Sequence, residues 1–322
     1  VKSHVSRSPR IVGKISVLIP VYNEEDNVVS LSDEIMSILS GYADFEIVFI
    51  NDGSKDNSLQ LIQDLSNKNG KVYFISFSRN FGHQNALRAG FDHCTGDIVI
   101  TLDGDHQHPP GLIPEMIDKW IEGYDVVFTT RKEGGEVSLV KRYTSSFFYW
   151  LIGKIADVDL KKGAADFRLF DEKVVHAVRG LKERDVFYRG LVAWLGFRQC
   201  EVAYTPERRR GGVSKYTYRK MLRLAVDGIS SFSFLPLRLA AVTGFLIAMV
   251  SFTYVFYAIM IKLFSDQAVS GWVSLMAGVY FLGGVQLIFL GLFGEYVGRI
   301  FMEVKGRPNY LVSAAKLPGE DK

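Results

Sequence analysis

The chain has 322 residues, a formal net charge of +3 and two cysteines. That length accommodates one large α/β domain with a smaller part beside it, and so slight a positive balance points away from a nucleic-acid partner. Cys94 and Cys200 lie far apart without metal-ligand spacing, which indicates neither a zinc site nor a disulfide framework.

Residues 1–10 are polar and basic and read as a flexible arm. The apolar run at 11–21 is too short and too interrupted for a secretory signal, so the bulk of the chain is expected in the cytoplasm. Residues 15–21 read as a buried strand running into Tyr22, Asn23, Glu24 and Glu25. Val28, Leu31, Ile35 and Ile38 then follow at helical spacing. The pattern repeats with a strand at 45–50, the turn Asn51-Asp52-Gly53-Ser54 and a helix at about 56–67. A strand at 72–77, a loop at 78–82 and a helix at about 83–93 come next, then a strand at 97–102, a helix at 111–121 and a strand at 125–129. Such alternation predicts right-handed βαβ units and a largely parallel sheet. No Gly-x-Gly-x-x-Gly follows the first strand and no P-loop consensus occurs, which disfavours a dinucleotide site or an ordinary P-loop.

The stretch at 98–110, Ile-Val-Ile-Thr-Leu-Asp-Gly-Asp-His-Gln-His-Pro-Pro, organises the rest. A short strand ends in two carboxylates, Asp103 and Asp105, at the edge where open α/β sheets hold their ligands. Paired acids repel unless a cation lies between or beside them, and Mg²⁺ or Mn²⁺ suits such hard oxygen ligands and shares them with phosphates. Glu24 ends the first strand and Asp52 the second, so a parallel sheet brings all these acids to one edge. Helix capping by Asp or Asn accounts for one such acid but poorly for the set. Carboxylates gathered in this way suit a metal-bound sugar nucleotide.

The middle of the chain is less legible. Arg131, Lys132, Lys141 and Arg142 read as a solvated basic face, while Asp157 and Asp159 read equally as turn or as site wall. Asp166, Phe167 and Arg168 precede a helix at 172–181, either as a site pair or as a structural pair at the helix entry. Another strand at 201–204 leads into Arg208-Arg209-Arg210-Gly211-Gly212-Val213-Ser214-Lys215, whose glycines and cations can wrap a pyrophosphate. Over 214–234, Tyr218, Met221, Leu222, Ala225, Ile229 and Phe232 share one helical face, and Arg219, Arg223 and Asp227 another. That is the pattern of a helix lying in a membrane interface. Residues 239–261 and 267–294 carry no charge and are long enough to cross a bilayer; a hairpin over 235–298, with spans at about 239–261 and 271–294, is expected. Basic residues flank both outer ends of the hairpin, so both termini are expected in the cytoplasm, with 299–322 as a cytoplasmic tail of coil or short strand.

These residues together closely resemble the polyisoprenyl-phosphate glycosyltransferases of glycosyltransferase family 2, dolichol-phosphate mannose synthase and the bactoprenol glucosyltransferases among them. The likeness spans about 14–312. It rests on Ile-Pro-Val-Tyr-Asn-Glu at 19–24, Asn-Asp-Gly-Ser at 51–54, Arg-Asn-Phe-Gly-His-Gln at 79–84 and Asp-Gly-Asp-His-Gln at 103–107. It continues through Asp-Phe-Arg-Leu at 166–169, Gly-Val-Ser-Lys-Tyr at 212–216, Ser-Phe-x-x-Leu-Pro-Leu-Arg at 231–238 and Gly-Glu-Tyr-Val-Gly-Arg at 294–299. The resemblance implies a GT-A catalytic domain over 11–213, an α/β fold with a mostly parallel sheet flanked by helices, followed by the interface helix and the hairpin. It implies that Pro20, Tyr22, Glu24 and Asp52 contact the nucleotide. Asp103, Asp105 and Gln107 would form the Mg²⁺ or Mn²⁺ site, with Arg131, Arg209 and Lys215 reaching the phosphates. Asp157 is the best candidate for a base, and Asp166 and Arg168 complete the expected catalytic set. The expected reaction is inverting transfer of one sugar, glucose from a UDP-sugar, to a polyisoprenyl phosphate such as undecaprenyl phosphate. The alternatives are a GDP-mannose-using relative or a processive polysaccharide synthase, although the Gln-x-x-Arg-Trp motif of the latter is absent. A homo-oligomer stays open.

Overall fold

The computed structural model describes residues 10–131, 164–181, 183, 188–204, 235–264 and 271–319. Its first elements follow the predicted alternation: β1 (Lys14–Val21), α1 (Val28–Leu39), β2 (Asp44–Asn51), α2 (Ser58–Lys68), β3 (Val72–Phe77), α3 (His83–His93) and β4 (Ile98–Thr101). A 3-10 turn at Pro110–Leu112 opens α4 (Ile113–Ile121), and β5 (Val126–Arg131) follows. Then come β6 (Ala164–Asp171), α5 (Glu172–Gly180), α6 (Tyr188–Trp194), β7 (Gln199–Tyr204), the long helices α7 (Leu235–Phe264) and α8 (Trp272–Val304), and β8 (Val312–Lys316). The expected interface helix at 214–234 lies outside the described residues.

Two compact units result: Val1–Tyr216 with Pro308–Lys322, and Thr217–Arg307. In the first, an eight-stranded sheet has the order β7-β5-β6-β4-β1-β2-β3-β8. Its centre, β3-β2-β1-β4, is parallel, as the unbroken apolar runs of doubly covered strands require. Successive side chains alternate between two layers. Ile15, Val17 and Ile19 pack with Leu31, Ile35, Ile62 and Trp120 on one face; Leu18, Val48 and Ile50 pack with Leu87, Phe91 and Val175 on the other.

The sheet is largely parallel, as the alternation predicted, with two antiparallel strands that the alternation did not locate. β6 inserts between β4 and β5 and runs antiparallel to both. Residues 164–171 were expected only as the approach to a helix, because Asp166 and Arg168 interrupt the apolar signal. They form a strand because Phe167 and Leu169 enter one layer and Phe170 the other. The tail, expected as coil or short strand, supplies the short strand β8, which pairs antiparallel with the edge strand β3. Tyr310, just before it, stacks on Phe77 at 5.0 Å and donates a 3.1 Å hydrogen bond to Asp92.

Arg10, expected in a flexible arm, is anchored. Its guanidinium donates to the Tyr124 carbonyl at 2.6 Å and to the Asp125 carboxylate at 2.7 Å, and lies over the Trp120 ring. Lys173 meets the same carboxylate at 2.5 Å.

In the second unit, α7 and α8 have 30 and 33 residues. At about 1.5 Å per residue each exceeds a hydrocarbon core of ~30 Å. Their apolar segments Ala240–Ile261 and Phe281–Val304 are long and apolar enough to cross a membrane, and Phe245, Met249, Phe252, Leu287 and Phe293 are exposed along them. Both helices overrun the predicted spans. Charge does not stop a helix: α8 continues through Glu295 and Arg299, which pair at 3.1 Å one turn apart. It ends at Val304, where Gly306 takes a left-handed φ of 58°.

Candidate active site

The carboxyl ends of β1, β2, β4, β5 and β7 share one sheet edge with the amino end of β6, and the loops there are tied to one another. Asn23, with a left-handed φ of 56°, donates its N–H to Ser54 Oγ at 3.0 Å and accepts the Lys55 N–H at 2.8 Å. The Glu24 N–H reaches Ser58 Oγ at 2.9 Å, and its carboxylate accepts from Asn27. Tyr22 is exposed on this edge, whereas Pro20 is buried within β1.

Asp52 has a more specific task. It is buried, and its two oxygens accept the Phe81 N–H at 2.6 Å and the Gly82 N–H at 3.0 Å. Burial pushes its carboxyl up from the ordinary value, while those two N–H groups and the nearby His83 and Arg79 oppose the rise. Gly53 permits this docking: a Cβ there would lie 2.4 Å from the Arg79 carbonyl carbon, and its φ is 67°. Asn51 is interior, bonding Ser76 Oγ at 3.0 Å and accepting the Ser54 N–H at 3.2 Å.

The acid motif crosses the end of β1. Gly104 passes so close to it that a Cβ would sit 3.2 Å from the Pro20 oxygen. His106 adopts a φ of 56° and is tethered to α1, its Nε2 2.9 Å from Ser30 Oγ and its Nδ1 3.7 Å from Glu34. Asp105 accepts the Gln107 N–H at 3.1 Å and is bonded by the Gln107 amide; the Gln107 oxygen in turn accepts from Arg131 at 3.1 Å. Asp103 lies between two histidines, 3.6 Å from His83 Nε2 and 3.5 Å from His108 Nδ1.

β6 supplies the other wall. Its antiparallel register sets Arg168 opposite Thr101, which carries Asp166, nearer the start of the strand, out to the edge beside Asp103. The Thr101 hydroxyl holds the Asp166 carbonyl at 2.5 Å. Arg168 itself is buried, with Nε donating to the Ala165 carbonyl at 3.0 Å, so it supports the edge from beneath. Tyr204 closes the end of β7. Burial raises its phenol, Arg131 works against the rise, and Asp103 and Asp105 add to it.

The structure thus gathers Asp103, Asp105, Gln107, Arg131 and Asp166, and adds His83, His108 and Tyr204, which the spacing of the sequence did not single out. Both histidines fall within recognised stretches, His83 inside the motif at 79–84 and His108 inside the stretch at 98–110, directly after Gln107. Asp157, Arg209 and Lys215 lie outside the described residues. Among the described residues no three His, Cys, Asp or Glu form a ready metal cage. Asp103, Asp105 and Gln107 nonetheless offer hard oxygen only, and the Asp103 side chain is 33% exposed. That donor set fits a hard divalent cation that takes its remaining ligands from water and phosphate.

The sequence profile of glycosyl transferase family 2 matches residues 16–176, and that of the GtrB C-terminal hairpin matches 235–300. The chain is 44% identical to the uncharacterized glycosyltransferase sll0501 of Synechocystis over 301 residues, covering 93% of this chain and 95% of that one. It is 40% identical over 305 residues to the bactoprenol glucosyl transferase of Shigella phage SfX, covering 94% of this chain and 100% of that one. Among solved structures, the mannosyltransferase PcManGT of Pyrobaculum calidifontis, in complex with GDP-Man and Mn²⁺, shares the fold. Its TM-score is 0.50 at 16% identity, over 71% of this chain and 66% of that one.

Proposed function

The chain belongs to glycosyl transferase family 2, and we propose that it transfers a single glucose from UDP-glucose to undecaprenyl phosphate at the cytoplasmic membrane face, with inversion. The observation that carries this reading is the hard-oxygen acid pair with Arg131 on one sheet edge, in a chain that also carries two membrane-length apolar helices. The names of its bactoprenol glucosyl transferase relatives supply the acceptor and the sugar.

Asp103, Asp105 and Gln107 would hold Mg²⁺ or Mn²⁺. When bound, the cation supplies charge neutralisation on the leaving diphosphate. Arg131, fixed by Gln107, adds a guanidinium fork suited to phosphate oxygens. Asp52 orders the 79–82 loop, and Tyr22 and Glu24 line the nucleotide side. A lipid phosphate is already anionic near neutral pH, with a second pKa of about 6, so it needs alignment more than deprotonation. Arg209 and Lys215 are assigned to that alignment, Arg209 chiefly to the donor diphosphate and Lys215 to its meeting point with the lipid phosphate. Asp157 is the candidate should a base be used. Both chain termini are assigned to the cytoplasm.

A panel of radiolabelled UDP-glucose, UDP-galactose, UDP-N-acetylglucosamine and GDP-mannose, each with undecaprenyl phosphate in detergent, tests the reading. Label entering the lipid from UDP-glucose is expected; label from GDP-mannose alone would overturn the donor assignment.

A further inference from the structure

Among the described residues, two ring nitrogens on the site edge have no hydrogen-bond partner although both atoms are buried: His83 Nε2 and His108 Nδ1. Buried polar atoms without partners are uncommon and call for an explanation. The His108 side chain is 6% exposed; its ring stacks on Phe167 at 5.6 Å and meets Tyr204 edge-on. Its Nδ1 is directed at one oxygen of Asp103. His83 opens α3 from the other side, held in place because Asp52 binds the two preceding amides. Its Nε2 faces Asp103 Oδ1 at 3.6 Å and Asp166 Oδ2 at 3.9 Å. Both separations are too long for a hydrogen bond, but two atoms so spaced can share a third oxygen lying about 2.8 Å from each.

A hydroxyl group is matched to that gap, since it accepts from a ring N–H while donating to a carboxylate. A phosphate would meet two like-charged carboxylates there. We propose that His83 reads the transferred sugar, its Nε2–H and the Asp166 carboxylate together taking one hydroxyl of the hexose beside the acid pair. This rests on the reading of the chain as a UDP-glucose transferase. His83 is then a specificity residue, and His108 braces Asp103 from the opposite side.

Calorimetry on the full chain in detergent with Mg²⁺ tests the assignment, using UDP, UDP-glucose and the 2-, 3-, 4- and 6-deoxy analogues of UDP-glucose. His83→Ala is expected to keep its affinity for UDP within about twofold while losing about tenfold for UDP-glucose. One deoxy analogue is expected to bind the wild type about tenfold less tightly than UDP-glucose, yet to cost His83→Ala little further, because both changes remove the same bond. If His83→Ala does not fold, His83→Phe, which keeps a ring of similar bulk but has no N–H, carries the same comparison. Equal losses for UDP and UDP-glucose would overturn the proposal and assign His83 to the diphosphate or the cation. Additive losses for every analogue would overturn it as well. A wild-type protein that binds UDP-glucose no more tightly than it binds unrelated nucleotides would instead overturn the functional reading itself.

Discussion

Asp52 links the buried frame to the site, and Asp52→Asn isolates that link. The carboxylate accepts two backbone N–H groups, at 2.6 and 3.0 Å, from Phe81 and Gly82. An amide retains one acceptor oxygen but turns its own N–H₂ toward the second donor. One charge-assisted hydrogen bond is lost and one buried N–H is left without a partner, at a combined cost of about 2–4 kcal/mol. That cost falls on the loop, because Asp52 bonds the loop and not the sheet core. At about 1.4 kcal/mol per tenfold, amide exchange protection at Phe81 and Gly82 should drop roughly 30- to 1,000-fold, while β1 and β2 keep theirs. Hydrogen exchange read by mass spectrometry on peptides covering residues 78–85 measures this. UDP-glucose affinity should fall with it, since His83, assigned to the sugar, follows the loop directly. Unchanged exchange at these amides, with UDP affinity alone reduced, would refute the reasoning and make Asp52 a direct nucleotide contact.

Other variants test other parts of the account. Asp125 is pushed up by burial, but Lys173 and Arg10 outweigh that and hold its carboxyl below the usual range. Its stabilising contribution is therefore complete above the unfolded value of about 3.9 and lost as pH falls through the lower folded value. Asp125→Asn should melt lower at neutral pH and lose less further Tm below about pH 4; parallel Tm curves for the two proteins would contradict this. Tyr310→Ala removes the stack on Phe77, which itself meets Phe81 edge-on at 5.7 Å. It should cost about 2 kcal/mol of stability and weaken UDP binding, whereas Tyr310→Phe should cost about 1 kcal/mol; calorimetry and thermal unfolding read both. Lys215→Ala should lower transfer at least tenfold, in turnover as well as in acceptor KM, and unchanged kinetics would move the acceptor phosphate site elsewhere.

The parallel half of the sheet was legible because its strands are apolar on both faces and its helices repeat at 3.6 residues. β3 and α3 fall where the pattern predicts them. β6 was hidden because a strand carrying Asp166 and Arg168 reads as polar, and its partners β4 and β5 are remote in sequence or separated by a long connection. β8, Val-Ser-Ala-Ala-Lys, has little propensity of its own and owes its form to the open edge of β3. Apolar length located the two long helices but not their ends, which depend on breakers such as Gly306 rather than on hydropathy. In the site, acids at strand ends stood out individually. That Asp52 is occupied by backbone while Asp103 faces two unpartnered ring nitrogens depends on loops meeting in space, which no spacing records.

The central claim is best tested by the mass of the lipid made when the purified chain is given UDP-glucose, undecaprenyl phosphate and Mg²⁺. The account predicts undecaprenyl phosphate carrying one hexose, formed by the wild type and lost in both Asp103→Asn and Asp105→Asn. Lipid carrying a growing series of hexoses, or full product formation by both variants or in excess chelator, would contradict it.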